Sequence, residues 1–407
     1  MFGAVFRVTF LLSLALLLPR FLLLYAPQQQ VFFGHLLGGG ENGVQLGVAS
    51  FNDFLRQSKL DLVGQKILLV TNQLHDQTEN HYLQMLAQFG VKPAVIYRSH
   101  NSMINTKINL EKFSIDLPKL TVPVLGHITG SELKKVDLIL IDLQSSGLAV
   151  DDALNDLIDL MQLAKLNRKQ IILLDRPNPL GCLQEGPLVH VLDRKLKFKL
   201  PLRYGLTLGE VAGYANHELF HNKIKLTVLP LKYYSRNNFN DFEQLQKVYT
   251  DGLFEMLRNT CPAEIKTDCH NNFQCLALPE YLNFSIDKWY ELRAALWHYN
   301  VEVVLCRYFD RKTEQYFVGV RLLIDDINRV SYLKIWQLFF KFMHDANIQL
   351  RPSIALERVF GIEQSLELIN GNLSVNSTNL WMQDLKAFYQ AVKPHLIYRP
   401  WPIKVLL

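Results

Sequence analysis

The stretch Ile171-Ile172-Leu173-Leu174-Asp175-Arg176-Pro177-Asn178-Pro179-Leu180-Gly181 runs four aliphatic residues straight into a polar, proline-stiffened loop. Consecutive aliphatics without polar alternation describe a strand buried on both faces, the habit of a parallel sheet. Three further runs repeat the pattern: Ile67-Leu68-Leu69-Val70, Ala94-Val95-Ile96-Tyr97 and Leu138-Ile139-Leu140-Ile141. Between them lie longer segments with helical spacing, such as residues 82–89 and 153–166. Short buried strands alternating with amphipathic helices predict an α/β fold, a doubly wound parallel sheet with helices on both faces. Each run ends in polar residues: Thr71-Asn72-Gln73, Arg98-Ser99-His100, Asp142-Leu143-Gln144 and Asp175-Arg176. Ligands of such sheets bind outside the carboxyl ends of the strands, so these four clusters are expected on one rim.

Beyond residue 230 the pattern loosens, at Tyr233-Tyr234-Ser235-Arg236-Asn237-Asn238. A boundary there gives a site-bearing domain over residues 44–238 and a smaller α/β or α+β domain over 239–407. The second contains helix-like 289–297, strand-like 301–306 and 317–324, and helix-like 332–344 and 380–392. Phe339, Phe340 and Phe342 fall on one of those helices and read as core rather than as a ligand box. Ahead of both domains, residues 8–26 are almost wholly apolar, interrupted by Pro19-Arg20. As one helix they would span roughly 28 Å, close to the bilayer core. Arg7 precedes the run, and no Lys or Arg separates Arg20 from Arg56. That asymmetry keeps the N-terminus inside and exports the body. Residues 1–27 are therefore expected to be a membrane anchor or a cleaved signal. Residues 28–43, with Gln-Gln-Gln and Gly-Gly-Gly, read as a flexible linker. The expected location is periplasmic or otherwise extracytoplasmic, on the inner membrane.

Composition narrows the function classes. With 49% hydrophobic and 20% charged residues, the 407-residue chain is an ordered globular protein and not a disordered one. Its net charge of +5 is spread without a dense Lys/Arg block, so nucleic acid is not an expected partner. Five cysteines leave at least one thiol without an internal partner. Cys261, Cys269 and Cys275 cluster, and a disulfide among them is expected. Their spacing fits no zinc pattern, so no metal site is expected. Cys182 and Cys306 follow strand-like segments and read as packing thiols. No Gly-rich dinucleotide fingerprint follows the first strand and no Walker A sequence occurs, so no cofactor is expected.

The chemistry concentrates between Leu174 and Glu210. After Asp175–Gly181 come Glu185-Gly186-Pro187 and then Arg203-Tyr204-Gly205-Leu206-Thr207-Leu208-Gly209-Glu210. A buried strand delivers Asp175 to the rim, prolines stiffen the loop around Asn178, and glycines permit close backbone approach. Thr207 and Glu210 have the spacing of a capping box, which assigns Glu210 to structure.

This combination resembles the NamZ-type exo-β-N-acetylmuramidases of peptidoglycan turnover, formerly a domain of unknown function. The matching elements stand in order over residues 44–398: Thr71-Asn72-Gln73, Asp142-Leu143-Gln144 with Gly147, the three segments just quoted, Phe360-Gly361, residues 366–371, and Trp381 through Asp384-Leu385-Lys386-Ala387-Phe388 to Tyr398. The resemblance implies a Rossmann-like N-terminal domain and hydrolysis that releases N-acetylmuramic acid from non-reducing ends of cell-wall glycan. It implies Glu185 as first catalytic carboxylate, with Asp142 beside it. Asn72, Gln144, Asp175, Arg176, Asn178, Arg203 and Tyr204 would bind substrate, Arg176 and Arg203 meeting the lactyl carboxylate as Arg forks do. The chain also departs from the family. A Ser-Pro-Glu-His-Gly loop is replaced by Arg98-Ser99-His100-Asn101-Ser102, leaving His100 as the substitute acid/base. Ser145 and Ala149 replace an Asp and an Arg, and Tyr204 replaces a His. Two readings stay open: a divergent muramidase, or a non-catalytic descendant that binds cell-wall glycan or a partner protein. A nucleotide-sugar or phosphate enzyme on the same sheet has no phosphate loop to support it.

Overall fold

The computed structural model describes residues 65–72, 93–98, 133–191, 198–236 and, with short gaps, 253–398. Residues 1–43 and 44–407 are separate compact units, and the first lies outside the described residues. So does the expected N-terminal apolar helix. Among the described residues no helix is long and apolar enough to cross a membrane.

The aliphatic runs are strands of one sheet. β1 (Ile67–Thr71), β2 (Pro93–Arg98), β3 (Leu138–Asp142) and β4 (Gln170–Leu174) pair in parallel. A fifth strand, β7 (Leu226–Leu229), adds to the outer side of β4. The order is β2-β1-β3-β4-β7. Chain connections on the two sides of β1/β3 run in opposite directions, which makes the carboxyl ends of β1 and β3 the topological switch point. Thr71 is level with Asp142 in the ladder, so both strands finish on the same line. Every side chain of β1 and β3 is buried, as their unbroken apolar character requires.

Two helices follow from local signals. α1 (Asp152–Asn167) starts at Asp151, whose side chain accepts the Ala153 N–H, and stops at Arg168 in the left-handed region, φ 54°. α2 (Leu208–Glu218) starts with the capping box expected of Thr207 and Glu210. The β1–β2 connection, with the helical spacing of residues 82–89, lies outside the described residues. Between β4 and α2 the chain inserts an antiparallel hairpin, β5 (Glu185–His190) and β6 (Lys199–Arg203).

The C-terminal part is α+β. β8 (Lys266–Cys269), β9 (Phe273–Pro279), β10 (Glu302–Asp310) and β11 (Gln315–Leu323) form an antiparallel sheet in the order β10-β11-β9-β8. On it packs α3 (Ile286–Trp297), against which α4 (Tyr332–Asp345) lies, followed by α5 (Ile354–Phe360), α6 (Ile362–Ile369) and α7 (Val375–Val392). Phe339, Phe340 and Phe342 are core residues of α4. Trp289 and Trp336 are among the largest fully buried side chains, and one continuous apolar cluster joins them to the residues of the parallel sheet. Cys275 is disulfide-bonded while Cys182, Cys261 and Cys306 are free thiols.

Candidate functional site

The switch point is closed by a reciprocal pair. Asn72 Nδ2 donates to the Gln144 carbonyl at 2.8 Å, and the Gln144 N–H donates to Asn72 Oδ1 at 2.9 Å. An asparagine side chain here imitates the next rung of a β ladder, beyond where β1 and β3 part. Gln144 Nε2 then reaches the Pro177 carbonyl at 3.1 Å, tying in the loop after β4. Beside it Arg176 grips Asp142 with two parallel bonds, Nε to Oδ1 at 2.6 Å and Nη2 to Oδ2 at 3.0 Å. Asn72, Gln144 and Arg176 are half-buried and face the rim, with Asp142 buried under the guanidinium. Beneath this layer the Ser145 hydroxyl meets the Tyr204 hydroxyl at 2.5 Å and accepts the Gly147 N–H at 3.0 Å. Burial pushes the Tyr204 phenol far up, so it acts as a neutral hydroxyl.

Asp175 sits lower still, with no solvent exposure. It accepts the Thr207 hydroxyl at 2.8 Å, the Gly209 N–H at 2.8 Å and the Tyr398 hydroxyl at 2.6 Å. Burial outweighs these donors and raises its carboxyl to about 6. Glu210 does more than cap α2. It accepts the Ile397 N–H at 3.1 Å and that of Tyr398 at 3.4 Å, and is paired with buried Arg236. Together Asp175 and Glu210 hold the C-terminal segment against the sheet. Asn178 staples its own loop, taking the Leu180 N–H at 2.8 Å and giving Nδ2 to the Leu206 carbonyl at 2.8 Å.

Glu185 and Arg203 are bonded to the C-terminal part. Glu185 is 1% exposed and accepts the Ser331 hydroxyl, the Tyr332 N–H at 3.0 Å and the Leu333 N–H at 3.2 Å. Its carboxylate therefore occupies the N-terminus of α4, where unpaired N–H groups and the helix dipole favour an anion. Arg203, cross-strand from Glu185, gives its guanidinium to the carbonyls of Leu180 (2.5 and 3.1 Å), Val330 (2.7 Å) and Ile327 (2.7 Å). Burial raises the Glu185 carboxyl and lowers the Arg203 guanidinium, so loss of water dominates their 3.8 Å attraction. Asn328 completes the joint by accepting the Cys182 N–H at 2.9 Å.

Residues 68–251 match a family model described as the N-terminal part of the exo-β-N-acetylmuramidase NamZ. The peptidoglycan β-N-acetylmuramidase NamZ of Bacillus subtilis is 29% identical over 217 residues, 49% of this chain and 50% of that protein. Over residues 68–251 this chain is similar to the NamZ family. The match spans about half the length of that relative. Two crystal structures from Bacteroides fragilis, both of proteins in one family of unknown function, share the fold. They have a TM-score of 0.63 each and 20% and 18% identity, and cover 88% of this chain and 99% of their own.

The NamZ-type signature thus separates into three layers. Asn72, Asp142, Gln144 and Arg176 come together on the rim. Asp175, Asn178 and Tyr204 lie beneath it as a scaffold. Glu185 and Arg203 bolt the hairpin to α4, and both are buried on contacts to residues 327–333. His100 lies outside the described residues. Sequence reading gave no site role to Ser331, Tyr398 or Arg236. Each reaches its partner from far along the chain, 146 residues for Ser331 and 223 for Tyr398, so no local pattern marked them. Among the described residues no cluster of three metal-ligating side chains forms.

Proposed function

We propose that this chain is a peptidoglycan-directed glycoside hydrolase of the exo-β-N-acetylmuramidase type, and that it takes the terminal muramyl sugar at the switch-point rim. The family supports the substrate class. The observation that carries the site is the rim itself, where Asp142, Arg176, Asn72 and Gln144 converge from the ends of β1, β3 and β4. Asn72 and Gln144 offer amide groups to sugar hydroxyls and an N-acetyl group. Arg176 offers a fork to the lactyl carboxylate. Asp142 is the one rim carboxylate of the four predicted clusters that stands at the guanidinium layer, and glycosidic cleavage needs a second acid or base opposite it. His100, two positions after β2 in the sequence, is the residue we nominate.

One observation favours the alternative, a glycan binder without turnover. Asp175 and Glu185 are both buried and hydrogen-bonded to structure, so neither supplies the second carboxyl group. The deciding experiment is release of N-acetylmuramic acid from a chromogenic muramic glycoside by the full chain, beside a direct titration with the free sugar. Release that disappears in Asp142→Asn and His100→Ala supports the hydrolase. Sugar binding without release, weakened by Asn72→Ala, supports the binder. Neither release nor binding removes both readings.

A further inference from the structure

We propose that a cleft at the C-terminal ends of α4 and α6 binds a short peptide, in extended form, by its main chain and its terminal carboxylate. The cleft has a volume of about 500 Å³ and lies between the turn after α4 and the end of α6 at Asn370. That size suits a ligand of a few residues.

The wall of the cleft is unusual in its backbone. α4 is stopped by Asn347, which takes the left-handed region at φ 57°, and by the Ile348 N–H returning to the Met343 carbonyl at 3.0 Å. After this stop the side chains alternate. Ile348 and Leu350 are half-buried on the core, whereas Asn347, Gln349 and Arg351 are exposed. A period of two belongs to an extended chain, and Pro352 restricts Arg351 to extended backbone as well. The main-chain groups of Gln349, Leu350 and Arg351 make no hydrogen bond among the described residues. An extended, unpaired stretch beside a cleft is a template for a peptide to add as a strand.

The side chains fit the same ligand. The Arg351 guanidinium makes no ion pair among the described residues and stands at the Pro352 end of the stretch. It matches a carboxylate as a fork. The amides of Asn347, Gln349 and Asn370 each carry a donor and an acceptor, the complement of peptide groups. A sugar lacks the regularly spaced N–H and C=O groups that an unpaired main chain selects, which decides for a peptide. The cleft is a second site. None of its lining residues is one of the rim residues Asn72, Asp142, Gln144 and Arg176. If the hydrolase or binder reading above holds, a stem peptide of the same cell wall is the natural source, and a polymer held at both places gains effective concentration.

The test is titration of the full chain with acetyl-Ala-Ala-Ala carrying a free C-terminal acid. The same peptide is then used with an amidated C-terminus, and with its central nitrogen methylated. The expected result is binding of the free acid, weakened at least about tenfold by amidation and by Arg351→Ala. N-methylation should weaken it further, while Arg358→Ala, an exposed arginine on α5, should leave it unchanged. Equal binding of acid and amide, indifference to Arg351→Ala, or no binding at millimolar peptide each overturns the proposal. Stem peptide with a γ-linked D-Glu binding more tightly than the all-α peptide identifies a cell-wall source, and the reverse order identifies a protein C-terminus. Asn72→Ala separates this site from the rim: peptide binding should persist in that variant even where release or sugar binding is lost.

Discussion

Glu185 Oε2 accepts the main-chain N–H of Tyr332 at 3.0 Å, across 147 residues of sequence. A carboxylate that the resemblance makes a catalytic candidate is thereby bonded to the N-terminus of a helix in the C-terminal part. Glu185→Gln keeps one acceptor oxygen but removes the charge facing Arg203 and the N-terminus of α4. The expected cost is about 1–3 kcal/mol of stability, since a buried acceptor of several bonds is weakened and not deleted. Urea unfolding measures it. Turnover per folded molecule should stay within a few-fold of wild type. A drop of a hundredfold in an equally stable variant would return Glu185 to the role of acid or base.

Asp175 predicts a pH dependence with a definite sign. Its folded carboxyl titrates at about 6 against an ordinary value of 3.8, so the folded state binds the proton more tightly. Its contribution to stability is then most favourable below pH 4 and is lost as pH rises through 6. Asp175→Asn removes that titration. Between pH 4 and 7 the stability of wild type relative to Asp175→Asn should fall by up to about 3 kcal/mol, since a tenfold difference in proton affinity is worth about 1.4 kcal/mol. Parallel pH profiles for the two proteins would sink the assignment.

The parallel sheet was legible because four of its five strands are unbroken aliphatic runs, each closed by polar residues. β7 was not, since Leu226-Thr227-Val228-Leu229 is an edge strand, only half-buried over its first three residues. β8 escaped as a four-residue edge strand, and β9, an inner strand, because the cysteine-bearing sequence around it reads as a loop. At the site, strand ends identified Asn72, Asp142, Gln144 and Arg176 correctly as neighbours, because topology alone brings those ends together. The depth of Asp175, Glu185 and Arg203 was not legible. Whether a carboxylate at a strand end faces solvent or a helix terminus depends on Ser331 and Tyr398, and nothing in the local sequence announces them.

Gly147 tests how tightly the rim loop is built. Its φ is 88°, and a Cβ there would lie 2.4 Å from Asn178 Oδ1 and 2.9 Å from Leu180 Cγ. Gly147→Ala should therefore cost roughly 1–3 kcal/mol through left-handed strain and crowding. It should also push Asn178 off the Leu180 N–H. Thermal unfolding gives the first quantity. Unchanged stability would show that the loop relaxes without cost and does not hold the rim rigid.

The pairing of Arg176 with Asp142 separates recognition from chemistry. If Arg176 reads the lactyl carboxylate, Arg176→Lys loses the bidentate fork but keeps a positive charge, and the effect should fall on KM for a muramic glycoside. The matching N-acetylglucosaminide has no lactyl group, so its weak turnover should change little. Asp142→Asn keeps the shape and one accepting oxygen toward the guanidinium but cannot act as base or nucleophile. It should lower kcat by about 10²–10⁴-fold with KM nearly constant. Equal losses for both glycosides in Arg176→Lys would mean that Arg176 acts only by holding Asp142. A kcat untouched by Asp142→Asn, in protein that still releases the sugar, would place the reacting carboxylate elsewhere and leave the rim as a binding surface alone.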